Sequence, residues 1–168
     1  RIANAYYQLQ DYQKVLVPID NAIRYAREPN KQHYMLKMGA LYESKNYPKT
    51  VETVETMVQL FPEERQFWVY LGNFYTLVEN YEKSLSALQI AYNNGYLESE
   101  SELKLIGQMY ANNNIPYKAA TIYEKYLKSG KIKKDRTMLN AVASNFQAAR
   151  EFAKAAAYYG ELAEMTNE

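Results

Sequence analysis

Histidine and cysteine, the side chains most often used for proton transfer at neutral pH and for thiolate attack, are all but missing from this chain of 168 residues. It holds one histidine, His33, and no carboxylate stands at a spacing that would pair with it for proton transfer. Cysteine is absent, which removes thiolate nucleophiles, disulfides and zinc ribbons, and one imidazole alone holds no metal. Ser129, Gly130 and Lys131 look like the end of a phosphate loop, but the upstream glycine and the preceding strand are missing. Glu63 and Glu64 follow Pro62, a place where negative charge suits the first turn of a helix. The sequence therefore predicts no enzyme, no cofactor and no metal site. Recognition through hydrogen bonds is better represented. Asn4, Ala40, Asn73, Gln108 and Ser144 recur at intervals of 36, 33, 35 and 36 residues, and four of the five carry short polar groups. Amides in such a row can donate to and accept from the backbone of an extended peptide.

The elements that must position this row follow from what precedes it. Each member comes directly after a small residue, Ala3, Gly39, Gly72, Gly107 or Ala143, and an aromatic ring stands three positions beyond the small residue: Tyr6, Tyr42, Tyr75, Tyr110, Phe146. Apolar residues come immediately before the small ones (Ile2, Met38, Leu71, Ile106, Val142) and four before them (Met35, Trp68, Leu103, Leu139). That is the stripe of an amphipathic helix, with the small residue placed where a second helix must approach closely. Six residues after the ring, or five in the second unit, a ring or proline marks the start of that second helix: Tyr12, Tyr47, Tyr81, Pro116, Phe152. The predicted helix pairs are 1–10/12–26, 30–44/47–60, 63–78/81–94, 99–113/116–129 and 134–149/152–166, in repeats of about 1–29, 30–62, 63–97, 98–133 and 134–168. Ser99 with Glu102 reads as a capping box, and Asp135 as the cap of the next helix. A period near 34 residues means an all-α array of helix-turn-helix units, read here as one array spanning 1–168.

The third unit, FWVYLGNFYTLVENYEKSLSALQIA, resembles a tetratricopeptide repeat through Trp68, Leu71, Gly72, Tyr75, Ser84, Leu88 and Ala91, and the fourth matches through Ile106, Gly107, Tyr110, Ala119 and Tyr123. Units one, two and five depart from the pattern, with Ala3 and Ala143 for glycine, Val15 and Thr50 for the small residue of the second helix, and one turn residue fewer in unit two. The resemblance implies a right-handed α-solenoid of about five repeats whose concave groove, lined by first helices, binds a peptide or a partner helix. Within that family, the run from Phe67 through AYNNGYLESESELKLIGQMY and IPYKAA is similar to tetratricopeptide proteins that accompany the TonB energy-transducing system of Gram-negative bacteria. That likeness, together with the lack of cysteine, implies a periplasmic setting over the cytoplasmic alternative.

Counting from the small residues places the expected groove at Asn4, Tyr7, His33, Leu36, Glu43, Val69, Tyr70, Asn73, Lys104, Gln108, Asn112, Asn140 and Ser144. Lys104 is its clearest cation. Lys104 with Gln108 imitates half of the lysine-rich clamp by which some tetratricopeptide domains hold a terminal carboxylate, but Ala141 stands where a further polar partner is needed. The balance of 20 basic and 19 acidic residues offers no footprint for nucleic acid, and the run Lys131 to Arg136 reads as a solvated turn. Apolar runs are too short for direct membrane insertion. The chain opens at Arg1 inside a predicted first helix and closes at Glu168 without polar capping helices, which reads as a piece of a longer protein. Two roles are therefore expected to compete: a scaffold holding another protein or peptide segment, and an assembly module that self-associates end to end through uncapped ends.

Overall fold

The computed structural model describes residues 1–165 and is helical throughout, with no strand among those residues. Five helices lie in a compact unit spanning Arg1–Asn80: α1 (Ile2–Gln8), α2 (Tyr12–Tyr25), α3 (Lys31–Glu43), α4 (Tyr47–Leu60) and α5 (Arg65–Leu77). The other five lie in a unit that begins at Tyr81: α6 (Tyr81–Asn93), α7 (Glu100–Asn112), α8 (Pro116–Lys128), α9 (Arg136–Ala148) and α10 (Phe152–Glu164). Within each unit every helix packs on the next in sequence. The expected boundaries hold to within two residues, except that residue 166 of the span 152–166 lies outside the described residues.

Local chemistry explains where the helices start. The Ser99 side chain accepts from the Glu102 N–H while the Glu102 carboxylate accepts from the Ser99 N–H, completing the capping box, and Asp135 accepts from the Met138 N–H at 2.8 Å. They stop at a repeated device. Gln10, Lys45, Glu79, Asn114 and Arg150, all at φ between 57° and 63°, take the left-handed conformation directly after a first helix. There the chain reverses with two backbone bonds, for instance Asn114 N–H to Ala111 C=O at 3.0 Å and Ile115 N–H to Tyr110 C=O at 2.9 Å.

This device corrects one expectation. In α3 the bonds run from Lys45 N–H to Tyr42 C=O and from Asn46 N–H to Leu41 C=O, so Leu41, not Tyr42, is the counterpart of Tyr75 and Tyr110. Leu41 is 1% exposed and Tyr42 is 44% exposed. The register of unit two is therefore one residue earlier than expected. Met38 takes the small-residue position, Gly39 takes the place expected for Ala40 in the amide row, and Ala40 is buried with Ala3, Val15 and Ile19. No turn residue has been lost, since Leu41 stands six before Tyr47 as Tyr6 stands six before Tyr12.

From α5 onward the predicted core positions are filled as expected: Leu71, Gly72 and Tyr75 are buried, as are Leu103, Ile106, Gly107 and Tyr110, and Leu139, Val142, Ala143 and Phe146. Trp68, although only half-buried, is held by its indole N–H donating to the Pro62 carbonyl at 2.9 Å. The close approach expected at the small residue is clearest at Gly107. A Cβ there would lie 2.2 Å from Cε1 of the buried Tyr123 ring. At Gly39 an added Cβ meets only the far end of a side chain, the Tyr7 hydroxyl, at 2.9 Å.

The two glycines should respond differently to alanine. Gly107→Ala overpacks a ring that has nowhere to go and should cost about 1–3 kcal/mol in a urea melt. Gly39→Ala, relieved by a shift of Tyr7 and helped by alanine's helix propensity, should stay within about 1 kcal/mol of the parent chain. Equal losses at both would refute the asymmetry.

A second expectation concerns alkaline pH. Burial pushes the Tyr123 phenol up to about 12, and burial together with hydrogen bonds to Glu55 and Glu124 raises Tyr75 and Tyr158 as well. These phenols keep their protons after the unfolded chain begins to lose its own near pH 10. Their contribution is thus complete below about pH 10 and is lost as pH rises from about 10 towards 12. Denaturant melts across that window should show stability falling, with a shallower fall in Tyr123→Phe.

Candidate functional site

In the unit of residues 1–80, α1, α2 and α3 enclose a cleft of about 930 Å³. Four of the expected groove residues, Asn4, Tyr7, His33 and Leu36, line it together. One side of it comes from α2, where Pro18 lies inside the helix beside Val17, Ile19 and Ala22. Asn30 caps α3 at its edge, accepting from the Gln32 N–H at 2.9 Å. His33 is half-buried, and its Nδ1 is shielded from solvent without a hydrogen-bond partner. The cleft is thus largely apolar with amide groups at its margin.

Tyr7 lines this cleft, and a row of rings lies further along the first helices α3 and α5 of the same unit. Tyr7 meets Tyr12 edge to face at 5.3 Å and rests over Gly39 of α3. Further along, Tyr42 lies 5.6 Å from Phe74 of α5 and 5.9 Å from Tyr47, and Phe74 lies 6.3 Å from Tyr70. Tyr7, Tyr70 and Phe74 are half-buried, and Tyr42 is exposed. Sequence reasoning placed Tyr42 in the core and passed over Phe74. The signal that would have found Tyr42 is the constant six-residue spacing to the second helix, which Leu41 satisfies and Tyr42 does not. Glu43 is exposed at the end of α3. Val69 is 3% exposed and packs inward, so it is not available to a ligand, contrary to expectation. Asn73 is exposed, but its side-chain N–H is turned back onto the Val69 carbonyl at 2.9 Å.

In the unit that begins at Tyr81, Gln108, Asn112, Asn140 and Ser144 are exposed on α7 and α9. The Ser144 hydroxyl donates to the Ala141 carbonyl at 3.2 Å. Lys104, expected as the free cation of the groove, is paired with Glu100 at 2.5 Å. That contact, joined by the Lys133 N–H, holds the Glu100 carboxyl below its ordinary value. Among the described residues no three His, Cys, Asp or Glu side chains come together as metal ligands, and no helix is long and apolar enough to cross a membrane.

No protein-family model matches the chain, and no curated protein matches it. Solved structures do. The MamA AMB-1 structure superposes with a TM-score of 0.75 at 14% identity, over 98% of this chain and 88% of that one. MamA from Desulfovibrio magneticus RS-1, from residue 41 to its end, gives 0.70 at 13% identity over 99% and 92%. A further crystal structure of MamA protein gives 0.72 at 14% over 97% and 87%. The chain has the fold of MamA. At this identity the fold is what is shared: an all-α, tetratricopeptide-like helical repeat with sequential helix packing, in agreement with the resemblance seen in the third and fourth repeats.

The exposed amides do little packing, so Asn73→Ala and Gln108→Ala, singly or together, should leave the thermal midpoint nearly unchanged. Surface replacements of this kind stay within about 0.5 kcal/mol. A larger loss would show that one of these side chains supports its helix.

Proposed function

We propose that this chain is a non-catalytic protein-interaction module that holds an extended segment of another protein against its first-helix face. The observation that carries this reading is the row Tyr42, Phe74 and Tyr70 on α3 and α5, together with Tyr7, which lies over Gly39 of α3 and lines the amide-edged cleft with Asn4 and His33. Tyrosine rings offer large contact area at low entropy cost and dominate binding hot spots, while amides at a margin can pair with a peptide backbone. The tetratricopeptide-like fold supports an interaction or assembly role. Its setting, on this reading, is the periplasm beside a TonB-type outer-membrane transport system, supported by the similarity of the 67–120 segment and by the absence of cysteine.

Random peptides displayed on phage provide the test. Binders should protect backbone amides of α1, α3 and α5 from hydrogen exchange, and Tyr42→Ala should weaken them about tenfold or more without lowering the melting temperature. Binding unaffected by Tyr42→Ala, with protection confined to second helices, would overturn the first-helix assignment.

One observation favours assembly as a second reading. Ile2 on α1 and Leu9 directly after it are 65% and 74% exposed, and Phe152 on α10 is 65% exposed. Light scattering over a range of concentrations separates the two, since a mass that grows with concentration and falls back in Leu9→Gln supports a second copy of the chain as the partner.

A further inference from the structure

Beside the rings stands a charge that nothing among the described residues answers. Within residues 1–80 three anions are paired with lysines: Asp11 with Lys14 at 2.6 Å, Asp20 with Lys37 at 2.7 Å and Glu64 with Lys31 at 2.5 Å. Glu43, exposed at the last position of α3, has no ion pair, and Lys45 two residues on makes none with it. Its position is one helical turn beyond Gly39, the residue over which the Tyr7 ring sits, so carboxylate and ring share one face of α3. The Tyr7 phenol reports the proximity, since its pKa is raised by burial first and then by the Glu43 charge and by Tyr12. Tyr42, the most exposed ring of the row, stands three residues after Gly39 and so borders the position over which Tyr7 sits from the other side of Glu43.

A carboxylate beside open ring faces is the environment that suits a guanidinium, which stacks on aromatic planes and takes a carboxylate in a two-point bond. The chain uses its other rings in this way on its own lysines: Lys14 lies 5.9 Å from the Tyr6 centroid, Lys125 5.1 Å from Tyr126 and Lys154 5.0 Å from Phe146. Among the described residues no cation lies over Tyr7 or Tyr42. We infer that the face formed by Tyr7, Gly39, Tyr42 and Glu43 receives an arginine side chain of an extended partner segment, the ring faces stacking on its guanidinium and Glu43 bonding its N–H groups. This rests on the first-helix face being the binding face and adds the chemistry of what it selects.

The probes are two phage libraries of short random peptides, one with arginine fixed at the centre and one with glutamine. The arginine library should yield the tighter binders. In a synthetic binder, replacing that arginine with citrulline, which keeps the shape and removes the charge, should weaken binding about tenfold, and Glu43→Gln should do the same. The two changes together should cost no more than either alone, because they remove one interaction. Gly39→Ala, which displaces Tyr7, should weaken the arginine peptide while leaving the fold intact. If glutamine-library peptides bind equally well, remain sensitive to Tyr42→Ala and ignore Glu43→Gln, the arginine assignment falls and the binding face stands. Should neither library yield binders, or should every binder ignore Tyr42→Ala, both fall.

Discussion

Each helix pair in this chain is closed by a residue forced into left-handed backbone geometry, and the register of everything else depends on that closure. None of the five residues that do it is a glycine. An L side chain in this region costs roughly 1 kcal/mol, with asparagine the mildest case, so Gln10, Lys45, Glu79 and Arg150 hold it against their preference and only Asn114 by inclination. What offsets the cost is the pair of backbone bonds each turn makes to the last turn of the first helix, which satisfies carbonyls that would otherwise be orphaned. Those bonds decide which residue of the first helix faces inward. Tyr6, Leu41, Tyr75, Tyr110 and Phe146 are the residues whose carbonyls accept the longer bond.

Much of the fold was legible because it is periodic. Helix existence, helix order and most boundaries follow from small and aromatic residues recurring with the period of the repeat, and from caps such as Ser99 with Glu102 whose chemistry is local. Unit two was misread because two adjacent residue pairs compete for the same pattern. Gly39 and Tyr42 imitate the small residue and the ring, while Met38 and Leu41 occupy those places. Residue type favours the first pair and turn geometry the second. Backbone hydrogen bonding wins, since shifting the register by one residue would leave Leu41 in water and the turn at Lys45 without its two bonds.

The candidate site was legible to a different degree. That Asn4, Tyr7, His33 and Leu36 lie on one surface could be counted from the sequence, and they do line one cleft. Whether a polar group is free could not be counted, because it depends on rotamers and on neighbours from other turns. Lys104 reads from the sequence as an open cation, yet Glu100 stands one turn before it on α7 and neutralises it. Asn73 reads as an open amide, yet it bonds its own helix at Val69. Helical pairs four residues apart interact by default. A polar residue on a helix is therefore available to a ligand only after its neighbour four positions away has been ruled out as a partner, and Glu43 passes that test against both Gly39 and Tyr47.

Gly107 and Gly39 put one residue type to two structural uses. At Gly107 the missing side chain lets a buried tyrosine lie against α7, and the ring disappears from the surface. At Gly39 the missing side chain lets Tyr7 settle over α3 from the next first helix, where the ring stays partly in water. The first arrangement buries apolar area and stabilises the unit at about 25 cal/mol per Å² removed from water. The second leaves much of that gain unrealised, as does Tyr42, which the turn at Lys45 holds outward. Rings kept half-wet beside a carboxylate contribute little to folding, and on the proposed reading the area they withhold from the core is the area a partner would cover.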